Sequence, residues 1–315
     1  MVPMRLGIGG WRRSVTRRLC WLAMSAVVAS CAAAGHPPAP VHPPAAVPSG
    51  PVHGGTGPCW LISLNAIHLL QGAGASEGFI ERLFDNPRTY VIVGPRQTNP
   101  LKHSVTVANF TNFAYDRATR SPGIEAAMTG LGLNPAVGAV SYDDENWQFT
   151  PRPEIAAPLR YTRLAAAMVH RAGRKFISTP AMDLGVAANG RVQRLPQSFH
   201  TFVSDGYLNL ARYDDVFELQ LENAETAPYF TSLAREAARK VKAVNPRVIF
   251  MLQLTSNPNR QQVSAKQLIR DFRATRGFVD GYALTIPDSP AVCPACGQPR
   301  PATLLAFLRW YDNKG

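Results

Sequence analysis

From Cys59 onward, short apolar runs rich in β-branched residues alternate with stretches whose apolar residues recur three and four positions apart. This alternation constrains the fold more than any other feature, because strand-like and helix-like periods cannot interchange. The strand-like runs are WLISLNAI (60–67), TYVIVGP (89–95), SVTVANF (104–110), AVGAVSY (136–142), KFISTPA (175–181), VFELQLE (216–222), VIFMLQL (248–254) and VDGYALTI (279–286). Most are continuously apolar, as strands covered on both faces are. Helical periodicity falls at 76–84, 122–131, 154–171, 228–244, 264–275 and 302–311. One unit shows the logic: Leu233, Ala237 and Val241 share a face, Glu236 and Lys240 pair at i,i+4, and Asn245-Pro246 ends the helix before the next strand.

Repeated β-α units imply a parallel sheet, and about eight strands in this length lead to a single-domain α/β fold, a closed (β/α)8 TIM-like barrel. The competing architecture is an open doubly wound sheet, but no Gly-rich phosphate loop follows any strand. Segments 89–95 and 104–110 stand too close for an intervening helix, so one of them is expected to be a hairpin partner or a loop.

The first 58 residues are organised differently. Residues 1–30 read as a signal peptide: Arg5, Arg12, Arg13, Arg17 and Arg18 stand without an acid before the short apolar run 19–28. Val28-Ala29-Ser30-Cys31 resembles the bacterial lipobox, which implies cleavage before Cys31 and its lipidation; an ordinary leader cleaved nearby is the alternative. Residues 31–58 form a Pro/Ala-rich linker that cannot bury a core and favours an extended tether. The barrel domain then occupies 59–315. The expected location is therefore outside the cytoplasm, either lipid-anchored at the cell membrane or extracellular, with the anchor as the only membrane contact.

Removing the five leader arginines leaves a charge of +7 out of the whole chain's +12. That excess favours anionic partners, but no Lys/Arg cluster interleaved with aromatics points to nucleic acid. In an exported chain, Cys293 and Cys296 of CPAC read as a small disulfide loop, with Cys59 as a competing partner. His68, His103, His170 and His200 show no metal-ligand spacing and no G-x-S-x-G elbow is present, so neither a metal, another cofactor nor a serine nucleophile is expected. A monomer is the expected state.

In a barrel, function gathers at the carboxyl ends of the strands. Carboxylates, amides and hydroxyls recur there, which suits a polyhydroxylated partner such as a carbohydrate or cell-envelope polymer. The densest set is Tyr142-Asp143-Asp144-Glu145. Alternation points Asp143 and Glu145 one way, Tyr142 and Asp144 the other. Two adjacent carboxyls repel as anions, leaving one protonated beside one ionised, the arrangement glycoside hydrolysis uses.

This strand end resembles that of chitinase-type glycoside hydrolases, which finish in D-x-E, with Ser141 where a further Asp would stand. The resemblance implies Glu145 as proton donor and Asp143 as its partner. Tyr142, Trp147, Asp183, Gln220, Glu222, Gln253 and Tyr282 are the expected substrate-binding residues. More broadly, YDDENWQFTP, STPAMDL, NPRVIFMLQLTSNP and VDGYALTIPD resemble a group of exported bacterial TIM-barrel proteins of unassigned activity. Competing assignments stay open: the acids as solvated loop residues or helix caps, Trp147 as a plug of the rim, and Glu145 with Glu222 as an acid and nucleophile from two strands. At the level of function, a glycan-binding or envelope scaffold without turnover competes with a glycoside hydrolase.

Overall fold

The computed structural model describes residues 57–114, 123–131, 133–146, 150–185, 194–257, 261–287 and 297–314. The leader, residues 31–56 of the linker with Cys31, Trp147, and both cysteines of CPAC lie outside the described residues.

Eight parallel strands close into a barrel in chain order. They are β1 (Cys59–Ser63), β2 (Thr89–Val93), β3 (Val105–Phe110), β4 (Val137–Tyr142), β5 (Lys175–Ser178), β6 (Val216–Leu219), β7 (Ile249–Thr255) and β8 (Gly281–Thr285). The expected (β/α)8 barrel is thus the fold, and the open sheet is excluded by the pairing of β1 with β8. That seam is tight: a Cβ on Gly281 would lie 2.3 Å from the carbonyl oxygen of Cys59, so only glycine lets the two edges meet.

Alternate residues of the strands fill two separate apolar layers. Inside the barrel, Leu61, Tyr90, Val107, Ala139, Ile177 and Met251 form one cluster. The opposite faces, with Trp60, Val91, Phe217, Phe250, Leu252 and Tyr282, pack beneath the helices. Each fully buried phenylalanine or leucine here contributes about 1.5–3 kcal/mol by leaving water.

The helices used below are α1 (Leu64–Gly72), α2 (Glu77–Phe84), α3 (Pro158–Arg171), α4 (Gln197–Ser204), α5 (Phe230–Val244), α6 (Ala265–Thr275) and α7 (Pro301–Lys314). Serine hydroxyls start three of them: Ser63, Ser76 and Ser264 accept the N–H of Ala66, Phe79 and Gln267.

Several boundaries differ from expectation. The run 60–67 is not one strand, because Ser63 caps a helix that begins at Leu64. The segment 154–171 is split into Arg152–Ile155 and α3, since Pro158 lacks the N–H a continuous helix requires and takes the first turn of α3 instead. Both 89–95 and 104–110 supply true barrel strands, paired in parallel. Their connection carries no helix; Asn99 organises it, donating to Ser104 Oγ and Thr106 Oγ1 and accepting the Leu101 N–H. Among the described residues, no helix is long and apolar enough to cross a membrane.

Candidate active site at the carboxyl ends of the strands

The ladder around β4 continues past its last residue. The Asp143 N–H donates to the Phe110 carbonyl, while the carbonyls of Tyr142 and Asp144 accept from Thr179 and Ala181. Alternation therefore persists to Asp144, and the two faces of this segment have different surroundings.

On the inward face, Ala139 belongs to the barrel interior, Ser141 is fully buried above it, and Asp143 and Glu145 follow, each half-buried. Asp143 Oδ1 accepts two hydrogen bonds, from Thr179 Oγ1 at 2.9 Å and Gln220 Nε2 at 3.0 Å. Asn109 and Glu145 also hydrogen-bond this carboxyl. Gln220 is itself held by the Thr179 carbonyl at 2.9 Å and bonds Glu145 as well.

Burial raises both carboxyls. For Asp143 it is opposed by the hydrogen bonds from Thr179, Asn109, Gln220 and Glu145. For Glu145 it is reinforced by the negative charge of Asp143 and then by Glu222 and Asp183, despite the bond from Gln220, and the group is pushed up to about 9. The two titrate as a pair. The donors gathered on Asp143 place the negative charge there and the proton on Glu145.

Around the pair stand other strand-end groups. Glu222 opens a short turn after β6, correcting the expectation that it ends the strand, and burial raises its carboxyl to about 7. Beneath Gln220 on the same face of β6, Glu218 is buried and raised well above the usual range by burial, then by Asp143 and Glu222. Gln253 on β7 donates to Thr285 Oγ1 on β8 at 2.8 Å. Asp183 is exposed and accepts the Asn146 N–H.

Two expected binding residues lie elsewhere. Tyr142 is fully buried on the outer face of β4, in the layer that holds Phe176 and Val169, and its hydroxyl donates to Glu154 Oε2 at 2.7 Å. Tyr282 points into the helix layer, its ring tilted against those of Trp60 and Phe272, with its hydroxyl against Thr275 Oγ1 and the Phe272 carbonyl. Both sit on the wrong parity of their strands to meet a ligand inside the mouth.

Conversely, Thr179 was missed, although alternation from the interior residue Ile177 leads to it, as alternation from Val107 leads to the strand-end residue Asn109. Glu154 was also missed. It is buried and accepts the N–H of Phe113 at 2.7 Å and of Ala114 at 3.1 Å besides the Tyr142 hydroxyl, so it pins the loop after β3 against the outside of β4. No local pattern announces that role.

Cys59 is a free, buried thiol on the barrel floor. Among the described residues, no group of three His, Cys, Asp or Glu is arranged to hold a metal ion.

Fold and site together define a (β/α)8 barrel with a hydrogen-bonded carboxyl pair, one proton between them, at the mouth where such barrels carry their chemistry. Among solved structures, similar chains include glycoside hydrolases. A class V chitinase from Pseudomonas fluorescens Pf-5 has 11% identity and a TM-score of 0.42, with 80% of this chain and 99% of that one covered. A glycosyl hydrolase family 2 member from Bacteroides cellulosilyticus DSM 14838 has 13% identity and a TM-score of 0.38, covering 76% and 28%. A GH113 β-1,4-mannanase has 10% identity and a TM-score of 0.31, covering 65% and 98%. No protein-family model and no curated protein matches the chain.

Proposed function

We propose that this protein is an exported, lipid-anchored barrel, monomeric, that hydrolyses a glycosidic bond in a polysaccharide or glycan. The observation that carries the chemistry is the Asp143–Glu145 pair: an acid that keeps its proton at neutral pH, hydrogen-bonded to an anion that Thr179 and Gln220 hold in place. Glu145 gives its proton to the glycosidic oxygen as the bond from the anomeric carbon breaks and its electron pair passes to that oxygen. Asp143 stabilises the positive charge growing on the sugar ring. Water adds to the anomeric carbon and returns a proton to Glu145, restoring the pair.

Export and anchoring rest on the arginine-rich leader, Val28–Cys31 and the uncharged tether. Replacing Cys31 by alanine should release the protein from the membrane fraction.

The test of the chemistry is hydrolysis of a panel of polysaccharides and aryl glycosides by the wild type and by Glu145→Gln. The variant should fold and bind as the wild type does but cleave at least about 100-fold more slowly, the scale of general acid catalysis. Equal cleavage by both proteins would remove Glu145 from the chemistry. Binding without cleavage by the wild type would instead support the scaffold role.

A further inference from the structure

Among the described residues, the recess around the carboxyl pair holds several buried oxygens without a hydrogen-bond partner. Ser141 sits directly below Asp143 on the inward face of β4, 0% exposed, and its hydroxyl oxygen has no hydrogen-bond partner among the described residues. The same holds for Glu218 Oε1, Glu222 Oε2 and Gln253 Oε1, each a buried oxygen without a partner. Gln253 already spends its amide nitrogen on Thr285, so the face it leaves to the recess is its carbonyl. Among the described residues, the charges that raise Glu145, Glu218 and Glu222 come from other carboxyls, among them Asp143 and Asp183.

A buried acceptor without a donor costs about 1–3 kcal/mol, so the unpartnered oxygens of Glu218, Glu222 and Gln253 at neighbouring strand ends call for a donor-rich occupant. A sugar hydroxyl brings acceptors along with its donor. An ammonium group brings three donors, no acceptor and a positive charge.

We propose that this recess receives a sugar unit bearing a free, protonated amino group, which makes the substrate class a de-N-acetylated amino-sugar polymer in place of a neutral or N-acetylated glycan. The inference rests on the carbohydrate reading of the site. The chain as a whole is basic, at +12, so the attraction is local to the unit that enters the mouth.

Calorimetric titration with Glu145→Gln, which separates binding from turnover, tests this. Glucosamine and galactosamine oligomers are each compared with the same oligomer after N-acetylation. At least one amine form should bind at least about 10-fold more tightly than its acetylated counterpart, and Glu222→Gln or Ser141→Ala, introduced into the same background, should reduce that preference. Repeating the wild-type titration in buffers of different ionisation heat should reveal proton release on binding, because the carboxyls facing the amine (Asp143, Glu145, Asp183, Glu218 and Glu222) include groups that hold protons in the empty site. Equal binding of amine and acetylated forms overturns the inference, as does binding of neither. In both cases the hydrolase reading survives if the wild type still cleaves another polysaccharide and Glu145→Gln does not, so the two failures are distinguishable.

Discussion

Replacing Thr179 by valine would remove one hydrogen bond from Asp143 while keeping the size and branching of the side chain. The hydroxyl lies 2.9 Å from Asp143 Oδ1, on the same oxygen that Gln220 Nε2 reaches at 3.0 Å. A hydrogen bond to a charged group contributes about 1.5–3 kcal/mol, which at 1.36 kcal/mol per unit corresponds to about 1–2 units of pKa. Asp143 is half-buried, so water can replace part of the lost bond, and an upward shift of about 1 unit is expected. In a pH profile of kcat/KM, the acid limb reports protonation of Asp143 and should move up by that amount. The alkaline limb reports loss of the Glu145 proton, a step in which Asp143 is ionised before and after, and should move much less. Carbon-13 titration of the Asp143 carboxyl gives the same shift without relying on turnover. An unmoved acid limb and an unmoved carboxyl titration would show that Thr179 does not hold the anion. Movement of the alkaline limb alone would reverse the assignment of proton and charge within the pair.

Other outcomes follow from the same geometry. Tyr142→Phe should lower stability by about 1.5–3 kcal/mol, the loss of a buried bond to Glu154, and leave KM unchanged; a raised KM with an unchanged Tm would return Tyr142 to the pocket. Gly281→Ala forces a Cβ to 2.3 Å from the Cys59 carbonyl and should destabilise the closed barrel by more than the roughly 1–3 kcal/mol of ordinary overpacking, seen as a large fall in the denaturation midpoint or loss of soluble protein. Stability should decline from about pH 5 to about pH 9, measured as Tm, and less steeply in Glu145→Gln and Glu222→Gln. The folded state raises Asp271 to about 6, Glu222 to about 7 and Glu145 to about 9. Between ordinary carboxylate values and these, the folded chain binds more protons than the unfolded chain, so stabilisation present at low pH is lost as pH rises through each folded value. A Tm that climbs over this range would contradict the burial of these acids.

The architecture was readable because a parallel barrel writes its strands as continuous apolar runs, and seven of the eight runs needed only their ends adjusted by up to three residues. The eighth, 60–67, misled because Leu64, Ala66 and Ile67 are as apolar as the strand before them; the capping hydroxyl of Ser63 marks the change of period. The β2–β3 connection was misjudged on the assumption that every parallel pair needs a helix, whereas a loop tied by one asparagine spans it here. Within the site, residues adjacent along β4 were legible and residues meeting across strands were not. Asp143 and Glu145 follow from alternation in one segment, but their dependence on Thr179 and Gln220 requires the registers of β4 with β5 and of Ala181 with Gln220. The parity that points Asp143 inward also points Tyr142 outward, so assigning both to one pocket was inconsistent with strand geometry from the start.

Three carboxylates end a buried strand because that strand serves two compartments. Asp143 and Glu145 face the mouth, while Asp144, 2% exposed, faces the wall behind it, where its carboxyl has no hydrogen-bond partner and is raised by burial and then by Glu154 and Asp143. In the same wall, Glu154 ties the Tyr142 hydroxyl to the backbone of Phe113 and Ala114. Tyr142, the residue before Asp143, is therefore fixed from outside the barrel, and Asp143 itself from inside by Thr179 and Gln220. A carboxyl pair held from both sides of its strand has little freedom to turn away from its neighbour, so the proton they share stays at one place in the mouth. Loosening the outer wall should thus impair the site without touching it: Glu154→Gln keeps the shape but weakens three charge-assisted bonds, and a fall in kcat larger than that of Tyr142→Phe would show that the wall positions the acid. Equal activity in both variants would make the two compartments independent.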